Sequence, residues 1–230
     1  MKKVALIPAR GGSKRIPNKN IKDFCGKPII AYPLQIALES GLFDSVVVST
    51  DSAKIAKIAQ SYGASVPFMR PDELSDDFTP TSLVAAHGVQ MLELEQDDLL
   101  CVIYPTAALL SAASLEDSLH KLLQDSNKLF CFGAVAYEYN PHRSFYVRGN
   151  TIEMLFSQHY LSRSQDLEQL FHDAGQFYWG RVSAWTLNLP IFAKHSDVLV
   201  LDPMQAQDID TLQDWYITEM KYKMLHFKHF

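Results

Sequence analysis

The chain has 230 residues, 47% of them hydrophobic and 20% charged, a composition that fills one α/β domain and excludes a disordered or low-complexity protein. A net charge of −5 speaks against nucleic acid as the main partner, because phosphate-backbone binders carry a basic excess. No run approaches the roughly 18 apolar residues of a membrane span, and residues 1–9 are too short for a secretory leader, so a cytoplasmic protein without membrane contact is expected.

The charge is unevenly spread. Residues 1–27 hold eight Lys or Arg (Lys2, Lys3, Arg10, Lys14, Arg15, Lys19, Lys22, Lys27) against one acid, Asp23, so this stretch carries +7 and the remainder −12. A local cluster of that size suits a small polyanion better than a long one. Cys25, Cys101 and Cys131 are odd in number and share no CxxC spacing, and they are read as reduced core thiols.

The apolar run KVALIP at 3–8 meets turn residues at once, the pattern of a buried parallel strand. A long loop follows, then a predicted helix over 29–40 ending at Gly41 and a β-branched strand over 45–50. Ile55, Ile58, Ala59 and Tyr62 recur at helical spacing up to Gly63, and 65–68 reads as a short strand. Helices over 81–95 and 114–125 then alternate with strands over 99–104 and 128–136. This rhythm predicts βαβ units, and so an α/β fold with a mainly parallel sheet and helices on both faces. From about residue 137 the rhythm changes. Segments 144–148 and 151–156 flank Gly149-Asn150, which predicts a hairpin within an inserted lobe over about 137–180. A strand returns over 198–201, and Leu212, Trp215, Tyr216, Met220 and Met224 mark one apolar face of a closing helix. The aromatic and basic tail at 222–230 is read as the surface end of that helix, and residues 1–230 as a single domain.

Open α/β sheets bind ligands beyond the carboxyl ends of their strands. The first such loop, PARGGSKRIPNKN at 8–20, combines two glycines, the Ser13 hydroxyl and four cations. Gly11 and Gly12 let backbone N–H groups turn to phosphate oxygens, while Arg10 and Lys14 neutralise them. The spacing is neither GxxxxGK[ST] nor GxGxxG with a later acid, which counts against a P-loop ATPase and a dinucleotide fold. Asp208 and Asp210 are the oxygen ligands that Mg²⁺ takes, on one side of the chain if the segment is extended. Alternatively, Asp210 caps the last helix, with Gln213 completing a capping-box-like pair. His172 beside Asp173 invites a general-base reading, although no nucleophile motif lies near.

The segment IPARGGSKRIPNKN at 7–20, straight off the first strand and followed by GKPII, resembles the signature of the CMP-sialic acid synthetase family. STD at 49–51, RPDELSDD at 70–77, YPT at 104–106 and DID at 208–210 extend the resemblance over nearly the whole chain. LSRSQDL at 161–167 and HDAGQFYWG at 172–180 are similar to segments of the members that act on pseudaminic acid. YPTAALL at 104–110 departs from the QPTSPLR of the sialic-acid members, which implies a different sugar.

The resemblance implies a Rossmann-like nucleotidyltransferase domain with a small inserted dimerisation lobe, and hence a homodimer. Its substrates would be CTP and an acidic nine-carbon sugar, and its cofactor Mg²⁺. Ala9, Arg10, Gly11, Gly12, Ser13, Lys14, Asn20, Arg70 and Thr81 would bind the nucleotide, and Asp208 and Asp210 the metal. Arg10, Lys14 and Asp210 would carry catalysis, with Asp210 or a bound water taking the proton. Tyr104, Thr106, Gln176, Phe177 and Tyr178 suit an amphipathic acylated sugar; Tyr104 is alternatively a buried strand-end aromatic, and the aromatics at 177 and 178 are alternatively core or dimer contacts. The implied reaction passes CMP from CTP to the anomeric hydroxyl of pseudaminic acid. Sialic, legionaminic and 3-deoxy-octulosonic acids are the alternative acceptors, and a non-catalytic nucleotide-binding domain is the alternative class.

Overall fold

The computed structural model describes residues 1–226, so the last four residues of the predicted aromatic tail lie outside the described residues. In chain order the elements begin with β1 (Lys3–Pro8), the two-residue strands β2 (Asp23–Phe24) and β3 (Lys27–Pro28), and α1 (Ala31–Glu39). Next come β4 (Ser45–Ser49), α2 (Ala53–Ser61), α3 (Thr81–Met91), β5 (Leu99–Ile103), α4 (Ala112–Gln124) and β6 (Phe130–Ala136). The chain closes with β7 (Phe145–Arg148), β8 (Thr151–Met154), β9 (Phe171–Arg181), α5 (Val182–Thr186), β10 (Ser196–Val200) and α6 (Leu212–His226).

Six strands form one sheet in the order β10-β6-β9-β5-β1-β4. All run parallel except β9, which lies antiparallel between β5 and β6. The continuous apolar runs of β1 and β5 are explained by burial on both faces. Leu34, Ile55 and Leu115 of α1, α2 and α4 share one core cluster, while Val89 of α3 and Trp185 of α5 share another. The strand expected over 65–68 is reduced to isolated bridges at Ser65 and Met69, because Pro67 has no N–H to offer a ladder.

The predicted hairpin is present as β7 and β8, with Gly149 at φ +61° in its two-residue turn. The lobe boundary expected at about 180 falls instead inside the main sheet. Residues 171–181 are β9, whose later half is buried, so the excursion from the sheet covers about 137–170. The expected apolar face of α6 is also corrected: Leu212, Tyr216, Met220 and Met224 are exposed, and the helix buries Trp215 and Thr218. Trp215 packs with Ile16, Phe24 and Tyr32, which ties α6 to the loop after β1. All three cysteines are free; Cys101 and Cys131 are buried as core thiols, whereas Cys25 is only partly buried, in the turn between β2 and β3.

Gly180 explains part of the HDAGQFYWG pattern. A Cβ there would meet Phe130 Cδ1 at 2.7 Å and Trp185 Nε1 closer still, and the indole is held by its hydrogen bond to Leu100 O at 3.2 Å. Overpacking of this kind costs about 1–3 kcal/mol. Gly180→Ala should therefore lower the melting temperature by about 2–10 °C in a thermal scan.

Candidate active site

β4 and β5 flank β1, and the chain crosses from one side to the other between them, so a crevice opens at the carboxyl ends of these strands. A cleft of about 300 Å³ lies there, walled by the loops after β1 and β5, the segment from Arg70 to Thr81, and Asp208 and Asp210. Chain segments far apart in sequence thus bring most of the expected nucleotide and metal residues together.

The loop after β1 divides its labour in a way the sequence does not reveal. Ala9 is fully buried and its N–H is committed to Ser49 O at 2.9 Å, so it cannot serve phosphate. Gly11 N–H is likewise held, by Asp51 Oδ1 at 2.8 Å, and a Cβ at Gly11 would sit 3.2 Å from Ser52 Cβ. Both residues therefore shape the loop rather than offer donors to a ligand. Asn20 is buried and its amide donates to Arg10 O at 2.9 Å, which closes the loop on itself. Ser13 lines the cleft and Gly12 faces open space, leaving these two, with the Arg10 and Lys14 side chains, to meet an anion.

Both cations are already engaged. Arg10 Nη1 lies 2.6 Å from Asp77 Oδ1, and Lys14 Nζ 2.5 Å from Asp77 Oδ2. Lys14 and Arg10 together hold the Asp77 carboxyl below the usual carboxylate range. Its neighbour Asp76 accepts hydrogen bonds from the Phe78 and Thr79 N–H groups, which fixes the turn that presents Asp77. Arg70 is only 5% exposed, and burial lowers its pKa despite the nearby Asp51 carboxylate. Its Nε donates to Ser75 Oγ at 3.1 Å, so a buried guanidinium lines the cleft beside the apolar Leu74 and Val84.

The two readings of Asp210 are separated by a cap. Asp214 N donates to Thr211 Oγ1 at 3.2 Å, and Asp214 Oδ2 accepts from Thr211 N at 2.7 Å, so Thr211 and Asp214 form the capping box of α6. Asp210 is thereby released toward the cleft, where its Oδ1 takes Arg15 at 2.7 Å and Lys19 at 3.7 Å. Lys19 also donates to Ile209 O at 2.6 Å, and burial lowers its pKa. Burial first, and then the Asp210 charge, raises the Asp208 carboxyl above its ordinary range. Two neighbouring carboxylates, one of them disfavoured as a bare anion, suit a hard divalent cation. Among the described residues no group of three or more His, Cys, Asp or Glu could hold a metal, so further ligands would come from a bound phosphate.

The expected sugar residues separate into two sets. Tyr104 and Thr106 line the cleft. Gln176, Phe177 and Tyr178 are buried in β9; Phe177 is 0% exposed and packs against the core, so it is a core residue and not a wall of the site. Gln176 donates to Gln205 O, and its carbonyl accepts from Tyr104 N at 2.8 Å. The pairing of β9 with β6 shifts register between Phe132 and Ala134 of β6, opposite the stretch of β9 that holds Gly175 at φ +62°. In a regular strand residues five apart face opposite sides. This irregularity lets Asp173 and Tyr178 meet, and the Tyr178 hydroxyl donates to Asp173 Oδ2. Burial, with Tyr104 and Asp173 beside it, raises the Tyr178 pKa far above the ordinary tyrosine value.

A second cleft, of about 870 Å³, lies on the other side of Asp208 and is lined by Glu138, His172, Asp173, Asp202 and Lys221 among others. The His172 ring turns to the Asp173 carbonyl at 2.9 Å, away from any nucleophile. Lys221 is held by three oxygens, at 2.8–3.0 Å. No role was expected of Lys19, nor of Asp51 and Asp77 at the ends of the STD and RPDELSDD motifs. Lys19 belongs to the legible basic cluster, but the carboxylates that hold these loops reach them only through tertiary folding.

A mainly parallel sheet with a cationic loop at its switch point and two carboxylates opposite defines a nucleotidyltransferase. The family model for cytidylyltransferase matches residues 4–201. Pseudaminic acid cytidylyltransferase of Campylobacter jejuni is 44% identical over 98% of both chains. CMP-N,N'-diacetyllegionaminic acid synthase of Legionella pneumophila is 31% identical over 95% of both. A solved CMP:2-keto-3-deoxy-manno-octonic acid synthetase complexed with CTP shares the fold, with a TM-score of 0.71 and 17% identity over 98% of this chain and 99% of that one. The chain belongs to the cytidylyltransferase family, in the group of the pseudaminic acid cytidylyltransferases, close to the CMP-sialic acid synthetases.

Asp77→Asn keeps the shape of the turn and removes the charge that holds Arg10 and Lys14. Exposed pairs of this kind are weak. The variant should bind a nucleoside triphosphate about threefold more tightly or better in calorimetry, whereas Lys14→Ala should weaken it.

Proposed function

We propose that this chain transfers CMP from CTP to the anomeric hydroxyl of a nonulosonic acid, pseudaminic acid, with release of pyrophosphate. The observation that carries the reading is the meeting of Arg10, Lys14, Arg70, Asp208 and Asp210 around one cleft, in a chain 44% identical along its length to a pseudaminic acid cytidylyltransferase. Arg10, Lys14, Gly12 and Ser13 would receive the β- and γ-phosphates once Asp77 is displaced. Arg70 and Thr81, beside Leu74 and Val84, would hold the base.

Asp208 lines both clefts, so a sugar in the larger one reaches the nucleotide at this wall, next to Tyr104 and Thr106. The anomeric hydroxyl attacks the α-phosphorus in line with the departing pyrophosphate. Asp208 and Asp210 would hold Mg²⁺, which when bound supplies charge stabilisation at the α-phosphate and lowers the pKa of the hydroxyl. Arg10 and Lys14 balance the charge that grows on pyrophosphate. Asp210, whose Oδ1 is taken by Arg15 and Lys19, would accept the proton through Oδ2.

The hairpin of the lobe exposes Val147 and Ile152, and the adjoining segment Tyr160 and Leu161, the last at 89%. Apolar exposure on this lobe, with Val147 and Ile152 paired across the hairpin, supports a homodimer through it. Free cysteines and a CTP substrate support a cytoplasmic setting, and no helix among the described residues is long and apolar enough to cross a membrane.

Pyrophosphate release should be followed with CTP and Mg²⁺ and, separately, pseudaminic, sialic, legionaminic and 3-deoxy-octulosonic acids. Release with pseudaminic acid is expected to be fastest; preference for another acid would reassign the sugar, and silence with all four would remove the reading. Asp208→Ala should lose turnover while the fold and triphosphate binding persist, as checked by circular dichroism and calorimetry. Sedimentation should give a dimer for the native chain and a monomer when Val147 and Leu161 are replaced by Glu.

A further inference from the structure

Asp208, the carboxylate at which the two clefts meet, takes no hydrogen bond or ion pair from any side chain among the described residues. Its orientation is set instead by the surface on which it lies, and that surface is β9. A Cβ built on Gly175 would stand 3.5 Å from Asp208 Cβ and Cγ and 3.6 Å from Oδ1, so the carboxylate rests on the bare Cα of this glycine. The residues on either side hold the approach to it: Ala174 shares a small apolar cluster with Ala206, and the Gln176 amide donates to Gln205 O. Three consecutive residues of β9 thus form the bed of residues 205–208.

This bed is not regular strand. Gly175 stands at φ +62°, a left-handed conformation that favours glycine, opposite the register shift of β6. One carboxylate keeps the chain there. Asp173 Oδ1 accepts from Gly175 N at 3.0 Å, and Asp173 Oδ2 accepts from the Tyr178 hydroxyl. The first bond fixes the turn at Gly175; the second ties the turn to the part of β9 that is locked in the core, where Tyr178 is buried. The reaction proposed above uses neither side chain.

We propose that the clamp between Asp173 and Tyr178, acting through Gly175, positions the Asp208 carboxylate for a divalent cation. Both are positioning residues, and the proposal rests on the assignment of Asp208 and Asp210 to the metal. Mg²⁺ demands near-ideal octahedral geometry, with oxygens at about 2.0–2.1 Å, so a carboxylate that gains freedom to tilt binds it more weakly. Partners that orient metal-binding side chains commonly change metal affinity by about 10–100-fold, and a clamp one step more remote should give less.

Tyr178→Phe keeps the buried ring and deletes only the hydroxyl, and it separates position from charge by sign. Asp173 keeps its charge in this variant, and charge alone would hold a cation near Asp208 at least as well as before; a loosened bed holds it less well. CTP affinity is to be measured by calorimetry without sugar, once in EDTA and once in Mg²⁺, beside Asp208→Ala as the reference. In the native chain Mg²⁺ should tighten CTP binding, and Asp208→Ala should abolish most of that gain. Tyr178→Phe should leave the affinity in EDTA within about twofold and reduce the gain by about fivefold. Asp173→Ala should reduce the gain at least as much, and the double variant no further than Asp173→Ala, because the two side chains act as one unit. A full gain in Tyr178→Phe, losses that multiply in the double variant, or equal weakening in EDTA and in Mg²⁺ overturns the clamp and leaves the metal assignment standing. A native chain without a Mg²⁺ gain, or a gain that survives in Asp208→Ala, overturns both.

Discussion

β9 enters the sheet between β5 and β6 against their direction, so its first residues, not its last, arrive at the edge where β5 and β6 end. A parallel strand in that place would send Arg181 to the ligand edge and Asp173 to the far side. The reversal brings Asp173, Gly175 and Gln176 to the ligand edge, and Asp208 packs against Gly175, where a Cβ would lie 3.5 Å from its carboxyl carbon. The rest of the sheet depends on the same strand, because Trp179 locks it to α4 through a hydrogen bond to Leu115 O and Trp185 of the following α5 donates to Leu100 O of β5.

Charge is balanced locally throughout the candidate site. Asp77 meets Arg10 and Lys14, and Asp210 meets Arg15 and Lys19. The eight-cation stretch of the sequence is therefore not a bare positive arm; acids that lie far along the chain return to it. Asp208 is the exception, as a half-buried carboxylate with a like charge beside it, and it stands where the two clefts meet.

Elements made by local pattern were legible in the sequence. KVALIP, SVVVS and the β5 run are continuous because both faces are buried, and the cationic loop was visible from composition alone. The placement of β9 was not legible, because Gly175 and the register shift break the alternation that marks a strand. Phe177 and Tyr178 consequently read equally as pocket, dimer or core aromatics, and the fold makes them core. For α6, Leu212, Tyr216, Met220 and Met224 form the more conspicuous stripe, yet one tryptophan and one threonine decide which side faces inward. The capping box was displaced by one residue from Asp210 and Gln213 to Thr211 and Asp214, and only coordinates reveal which side chain bonds which N–H.

The Asp77 carboxylate also determines how the cationic loop responds to simple salt ions. Chloride or acetate brings one charge and must compete with a tethered anion already in contact with two cations. A triphosphate brings several covalently linked charges and can satisfy Arg10 and Lys14 together. The tether thus favours polyvalent over singly charged ions, which displace it only at high concentration. Because the loop's outward field is partly cancelled, long-range attraction contributes little to nucleotide capture. Encounter rates with the free protein should consequently vary only gently with ionic strength.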